Sequence, residues 1–127
     1  MISDTVAFLK QAGREILDLE ADALRALGFV RGFQGQCAIA KTYMQQALAL
    51  CRQAANLEME GRVLAHLGMV HTASGDHMAA RSYGEQALRI FNRIGFRWGQ
   101  GEALWCLGFI SICLGDYVQA KSLLEQE

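Results

Sequence analysis

Proline is absent from the 127-residue sequence. An all-β protein of this length normally places prolines in its turns and edge strands, so their absence argues against that class. The 13 glycines must then interrupt the secondary structure, which suits long helices joined by short turns. We therefore expect a helical chain, and its length corresponds to a single domain, residues 1–127.

An excess of either charge is also missing. The 12 Lys and Arg residues nearly balance the 13 Asp and Glu residues, so the net charge is -1 and no overall field attracts nucleic acid or an anionic membrane. Hydrophobic residues make up 52% of the chain and charged residues 20%, which excludes intrinsic disorder and suffices for a packed interior. We expect a folded protein with no nucleic-acid or membrane partner.

The sequence has no long apolar run. The longest stretch without a formal charge, residues 103–115, is thirteen residues long, whereas a membrane-spanning helix needs about 20. The first residues lack the basic region and apolar core of a secretory signal. Of the four cysteines, Cys106 and Cys113 are seven residues apart on one predicted helix, which separates their sulfurs by roughly 10 Å, too far for a disulfide. These features predict a cytoplasmic protein whose four cysteines are reduced thiols in the core.

The sequence is organised by a repeat of 40 residues. With an offset of 40, three segments that begin at Ala21, Gly61 and Gly101 align. The residues that match in all three segments are Leu24, Leu64 and Leu104; Leu27, Leu67 and Leu107; Gly28, Gly68 and Gly108; Gly35, Gly75 and Gly115; and Ala40, Ala80 and Ala120.

Each unit is predicted to contain two helices, because apolar residues recur at helical spacing on both sides of a glycine. Gly75 and Gly115 suit the left-handed conformation that ends a helix. Asp76 and Asp116 follow them as predicted N-caps, whereas Gln36 in the first unit is a poorer cap.

Turns between units are expected at residues 55–56 and 95–96, with an equivalent near residues 13–16. The domain is then divided into a partial preceding repeat at 1–20, repeat 1 at 21–60, repeat 2 at 61–100 and a truncated repeat 3 at 101–127. Both ends interrupt a unit, and the end helices of a solenoid need a cover. We expect either one segment of a longer array or a small protein that self-associates through its terminal helices.

The matching glycines of the leucine–glycine pairs and the matching alanines fall in different helices of a unit, where their lack of bulk lets two backbones approach. This pattern resembles the tetratricopeptide repeat from about residue 21 to the end of the chain. The resemblance implies an all-α, right-handed superhelical solenoid of about three antiparallel helix pairs that serves as a non-catalytic protein-interaction scaffold. The 40-residue period is similar to that of kinesin light chains, cell-polarity adaptors and bacterial signalling regulators.

The polarity adaptors commonly have an Asn after the leucine–glycine pair, which holds the backbone of an extended peptide. This sequence has Phe29, Met69 and Phe109 at that place, so their peptide mode does not carry over.

An apolar stripe on the first helices lies off the leucine positions that join the two helices of a unit. We predict that it forms a groove on the concave side that binds a protein partner as a peptide or helix. The predicted rim consists of Arg25, Arg62, Asp22, His66 and Glu102. The predicted groove residues are Arg25, Phe29, Phe33, Arg62, Met69, Trp105, Phe109 and Ile112.

Two alternatives stand beside this prediction. The same side chains could instead fill the interior of a tight superhelix or meet another copy. In function, the domain could instead be a regulatory or effector-sensing segment of a larger signalling ATPase or transcription regulator.

No other residues suggest a reactive centre. His66, His71 and His77 do not form a predicted metal site, because the first two are five residues apart and the third lies beyond a turn. No phosphate-binding loop or catalytic set is recognisable, so we expect no cofactor, no metal and no enzymatic activity. Gly84, in the middle of a second helix, is predicted to make room for Trp105 or Phe109 of the next unit.

Overall fold

The structure, a computed structural model, describes residues 2–115 and 117–126. Six α-helices follow one another: α1 (Ile2–Phe33), α2 (Cys37–Gln53), α3 (Leu57–Ala73), α4 (His77–Ile94), α5 (Arg97–Cys113) and α6 (Tyr117–Glu125). The described residues include no β-strand, so the all-α prediction is confirmed. Within this part of the chain, no helix is both long enough and apolar enough to cross a membrane.

The helices pack as consecutive pairs. Helix α1 packs on α2, α3 on α4 and α5 on α6, while α2 contacts α3 and α4 contacts α5. Each pair therefore touches its neighbours along the chain, which is the arrangement of the predicted helical solenoid.

In each turn between helices, one residue has the left-handed backbone conformation. Gly35, Gly75 and Gly115, within the pairs, have φ angles of 77°, 86° and 82°. Between the pairs, Ala55 and Gly95 take the same conformation, with φ angles of 56° and 70°. This region ends a helix and is easiest for glycine, which has no Cβ. The predicted turns between units 1 and 2 and between units 2 and 3 are confirmed.

The predicted helix caps have mixed outcomes. Asp76 Oδ1 accepts a hydrogen bond from the backbone N–H three residues on, at 3.2 Å, so this N-cap is confirmed. Gln36 makes no side-chain cap, as its weaker propensity predicts. The predicted cap Asp116 and the side chain of Ala120 lie outside the described residues.

The turn predicted near residues 13–16 is wrong. Helix α1 runs unbroken through this segment from Ile2 to Phe33. A single glycine inside a helix costs about 1 kcal/mol, which is less than the backbone hydrogen bonds that a turn would break. Residues 2–16 are also exposed apart from the half-buried Ala12, so no packing is present to hold a fold-back in place. The division of the chain into repeat units stays a prediction.

Small residues let the two helices of a pair approach each other. A Cβ added to Gly28 would lie 3.2 Å from the Ala40 carbonyl oxygen, and one added to Gly68 would lie 3.3 Å from the Ala80 carbonyl oxygen. The predicted role of the glycine and alanine positions is confirmed for the first two pairs.

The core runs along the stack between the pairs, and Phe91 is its largest fully buried side chain. The ring is wedged between two glycines: an added Cβ would lie 2.6 Å from the ring at Gly61 and 2.5 Å from it at Gly99. Repeat 1 has Cys51 in place of Phe91 and Met59 in place of Gly99. In repeat 1 a smaller side chain at the Phe91 position thus accompanies a larger one at the Gly99 position, and both pack in the same core.

The space beside Gly84 is filled by a residue that we did not predict. An added Cβ at Gly84 would lie 2.8 Å from Leu107 Cδ2, so a bulky side chain of the next unit does cover the glycine. Trp105 and Phe109 are exposed instead, and their predicted role is wrong. Leu107 lies on the face of α5 that turns toward α4, whereas the two aromatic residues lie on the opposite side of that helix.

All four cysteines are free thiols. Cys51 and Cys106 are buried, and desolvation raises the pKa of each thiol to about 11. Cys37 is half-buried and Cys113 is exposed at the end of α5, so the prediction of four core thiols is wrong for Cys113.

We expect Gly99→Ala to be less stable than Gly101→Ala by about 1–3 kcal/mol, because only the first places a methyl group against the buried Phe91 ring. Both glycines lie inside α5, and a Cβ at Gly101 would meet nothing within 4 Å. The gain in helix propensity of about 1 kcal/mol is therefore common to both variants. Urea unfolding measures the difference in stability, and equal stabilities would contradict the close packing of the Phe91 ring against Gly99.

Candidate partner-binding groove

The first helices of the pairs lie on the inner side of the stack. Helices α1 and α3 contact each other, as do α3 and α5. The second helices lie further apart: in the described part of the chain, α2 and α4 are bridged by a hydrogen bond from Gln45 Nε2 to Tyr83 Oη at 2.9 Å. Stacked pairs that are closer on one side curve toward it, so α1, α3 and α5 form the concave face.

Two apolar hollows lie side by side on this face. The first, between α1 and α3, is lined by Phe29, Gly32, Phe33, Met44, His66, Met69, Val70 and Ala73. The second, between α3 and α5, is lined by Met69, Thr72, Ala73, Trp105, Cys106 and Phe109. Since Met69 and Ala73 belong to both, the two hollows form one continuous groove.

Aromatic pairs flank the groove at both ends. The rings of Phe29 and Phe33 meet edge to face with centroids 4.8 Å apart, and those of Trp105 and Phe109 are stacked with centroids 6.0 Å apart. Each pair spans one helical turn, so each ring is steadied by its neighbour. The four rings and Met69 are nevertheless 36–78% exposed, which leaves apolar surface available to a ligand.

The two predicted arginines line neither hollow, but both lie close enough to His66 for their charges to act on it. Arg25 Nη2 forms an ion pair with Asp22 Oδ1 at 2.6 Å, so its charge is already balanced. Among the described residues, Arg62, half-buried on α3, forms no ion pair. Glu102, whose Oε1 lies 3.8 Å from His66 Nε2, adds a negative charge near the same histidine.

Five of the eight predicted groove residues line the hollows: Phe29, Phe33, Met69, Trp105 and Phe109. Ile112 is exposed on α5 but lines neither hollow.

We did not predict Met44, a fully buried side chain of the second helix α2 that lies beneath the first hollow. The signal that could have indicated it is Gly28, because this glycine leaves the gap into which Met44 Cε extends, 3.0 Å from an added Cβ.

His66 forms part of the groove floor and is neutral at physiological pH. Desolvation, followed by the positive charges of Arg25 and Arg62, lowers its pKa from 6.5 to about 4. Glu102 Oε1 lies 3.8 Å from His66 Nε2. A neutral imidazole, 5.2 Å from the Phe29 ring, keeps the floor of the groove uncharged.

The other two histidines, His71 and His77, line neither hollow. His71 stacks on Tyr83 with ring centroids 5.1 Å apart. Among the described residues, no three His, Cys, Asp or Glu side chains converge as metal ligands would.

A family model described as tetratricopeptide repeat matches residues 19–93 of the chain. The crystal structure of the TPR domain of Arabidopsis FLU is similar, with a TM-score of 0.81 and 21% sequence identity, covering 87% of this chain and 92% of that chain. At this identity the similarity supports the fold alone. The search of curated proteins gives no match. Tetratricopeptide repeat domains generally mediate protein–protein interactions as non-catalytic scaffolds.

The depressed pKa of His66 predicts acid sensitivity. In the unfolded chain this histidine takes up a proton as the pH falls below 6.5, whereas in the folded chain it does so only near pH 4. Stability is therefore complete above pH 6.5 and falls by about 3 kcal/mol between pH 6.5 and 4 through this group. Urea unfolding at a series of pH values should show a smaller loss for His66→Gln than for the wild-type chain. An identical loss in both proteins would contradict the assignment.

Proposed function

Because the chain belongs to the tetratricopeptide repeat family, we propose that it is a scaffold that binds a protein partner in the groove across α1, α3 and α5. The bound segment is a peptide or a helix with apolar side chains. The mode of recognition is burial of these side chains in the two hollows, with the surrounding charges setting their orientation.

The main support is the position of Met69. Its side chain lines both hollows, so a ligand segment that occupies one hollow can extend directly into the other. Methionine is flexible and polarisable, and it adapts to apolar side chains of different shape. The aromatic residues on either side offer the large, rigid contact area that dominates binding energy at protein interfaces.

The charges beside the groove favour an acidic residue in the ligand. The Arg25 guanidinium is paired with Asp22, while Arg62 is available and the His66 imidazole carries no charge at pH 7. A ligand carboxylate would pair with Arg62 if it binds away from the Glu102 carboxylate, which also lies near His66. We propose a ligand segment with two bulky apolar side chains, one for each hollow, and an acidic residue close to the first.

The regulatory alternative uses the same surface. A groove that holds a partner segment serves equally well within a larger signalling ATPase or transcription regulator, where it would hold a neighbouring domain. This alternative stays a prediction of the sequence.

A binding peptide selected from a random library tests the groove directly. We expect Met69→Asp to weaken its binding at least about tenfold, because a carboxylate placed between the two hollows would be desolvated by the ligand. The matched control is Met78→Asp, the same change at an exposed methionine of α4 outside both hollows. Circular dichroism checks that both variants keep their helix content. Equal affinities for the two variants would contradict the proposal, as would loss of helix content in Met69→Asp alone.

The charge preference has its own test. We expect Arg62→Glu to weaken binding of a selected peptide that carries an acidic residue, with a larger effect at low salt because the interaction is electrostatic. Arg93→Glu, on the exposed face of α4, is the control for the change in net charge. If both variants reduce affinity equally, the proposed pairing of Arg62 with an acidic residue of the ligand is wrong.

A further inference from the structure

Helix α1 carries an apolar stripe that is separate from the groove. Its positions are spaced alternately by four and three residues, the heptad spacing of helices that pack along their length. The stripe, which we name the α1 seam, consists of Ile2, Val6, Leu9, Gly13, Ile16, Glu20, Ala23, Leu27 and Val30. All of these residues except Glu20 are apolar or glycine.

The large side chains of the α1 seam have no cover in the folded chain. Their exposed fractions range from 43% for Val6 to 84% for Ile2. By contrast, the buried residues of α1 are Ala21 and Gly28, which lie on a different face. The packing of α1 within the chain therefore does not account for the seam.

The later repeats show what normally covers these positions. Leu27 and Val30 are 45% and 51% exposed, whereas the equivalent residues of the next two repeats are at most 6% exposed: Leu67, Val70, Leu107 and Ile110. In those repeats a helix of the preceding pair, α2 or α4, packs antiparallel on the first helix. The seam at Leu27 and Val30 is thus a stacking surface that lacks its antiparallel helix.

Gly13 supplies a second observation. It lies in the interior of α1, where glycine weakens a helix, and a Cβ placed there would meet nothing within 4 Å. The folded chain therefore gives no steric reason for a glycine at this position. A close approach by another helix along the seam would give one.

We propose that the missing helix is α1 of a second copy, packed antiparallel on the seam about a two-fold axis. In this arrangement Leu9 of each copy faces Leu27 of the other, Val6 faces Val30, and Gly13 faces Ala23. Residues 2–16 of each copy thereby cover the open stacking surface of the other, a reciprocal contact that closes the assembly at a dimer. The smallest seam residues meet each other, which permits the close approach that Gly13 indicates.

Glu20 determines the direction of the packing. In a parallel pair in register, the two Glu20 carboxylates would face each other across the seam, and like charges at such a position are unfavourable. In the antiparallel arrangement Glu20 faces Ile16, and the two Glu20 carboxylates are offset along the helices by about 6 Å, which weakens their repulsion. A third hollow lies at this end of the seam and is lined by Ala26, Leu27, Val30, Arg31 and Gln34. It shares no lining residue with the groove, so the dimer leaves the groove free for a partner.

Sedimentation equilibrium of the full chain at increasing concentration tests the dimer. We expect a mass of twice 14.0 kDa at high concentration, and a monomer of unchanged helix content for Leu9→Asp, because Leu9 makes no core contact. The matched control is Phe8→Asp, which changes a 72% exposed neighbour that lies off the seam and should leave the dimer intact. A wild-type monomer at all concentrations, or equal effects of the two variants, would overturn the proposal and leave a preceding repeat as the cover.

Disulfide trapping tests the direction. In a background with Cys37→Ser and Cys113→Ser, the chain carrying both Leu9→Cys and Leu27→Cys should form a covalent dimer on oxidation, whereas neither single variant should. Efficient cross-linking of Leu9→Cys alone would indicate a parallel seam and overturn the antiparallel proposal, as would the absence of a cross-link in the double variant.

Discussion

Stacking of successive helix pairs is the interaction on which this structure depends. A pair of amphipathic helices cannot bury both of its apolar faces by itself, so each pair relies on the next for its remaining burial. The buried positions Leu67, Val70, Leu107 and Ile110 are covered in this way, and the exposed Leu27 and Val30 show the same surface without its cover. The burial that stabilises α3 and α5 is therefore the same kind of burial that the α1 seam leaves open.

The groove is a consequence of how the stack is built. The core uses the faces of α3 and α5 that turn toward neighbouring second helices, and glycine positions let these helices approach closely. The aromatic residues on the concave side are left out of this packing, so they cost the fold little and remain available to a partner. The groove and the α1 seam have no lining residue in common, so the two proposed contacts do not compete.

Local sequence signals predicted the features that depend on a single unit. The spacing of leucines and the glycines at residues 75 and 115 indicated the helix pairs and their turns, since a left-handed glycine ends a helix in any context. Features that depend on neighbouring units were less accessible. Gly84 indicated a space but not that Leu107 would fill it, and Gly13 suggested a turn where α1 in fact continues unbroken. Met44 lies beneath the first hollow but belongs to a second helix, so a stripe on the first helices alone cannot reveal it.

The central claim is that apolar side chains on the concave face receive the partner. Its most direct test is methyl NMR of the chain labelled at its five methionines, recorded with and without a selected peptide. The account predicts that the methyl signals of Met44 and Met69 shift on binding while those of Met59 and Met78, outside the hollows, do not. A shift of the Met78 signal with no change at Met69 would contradict it.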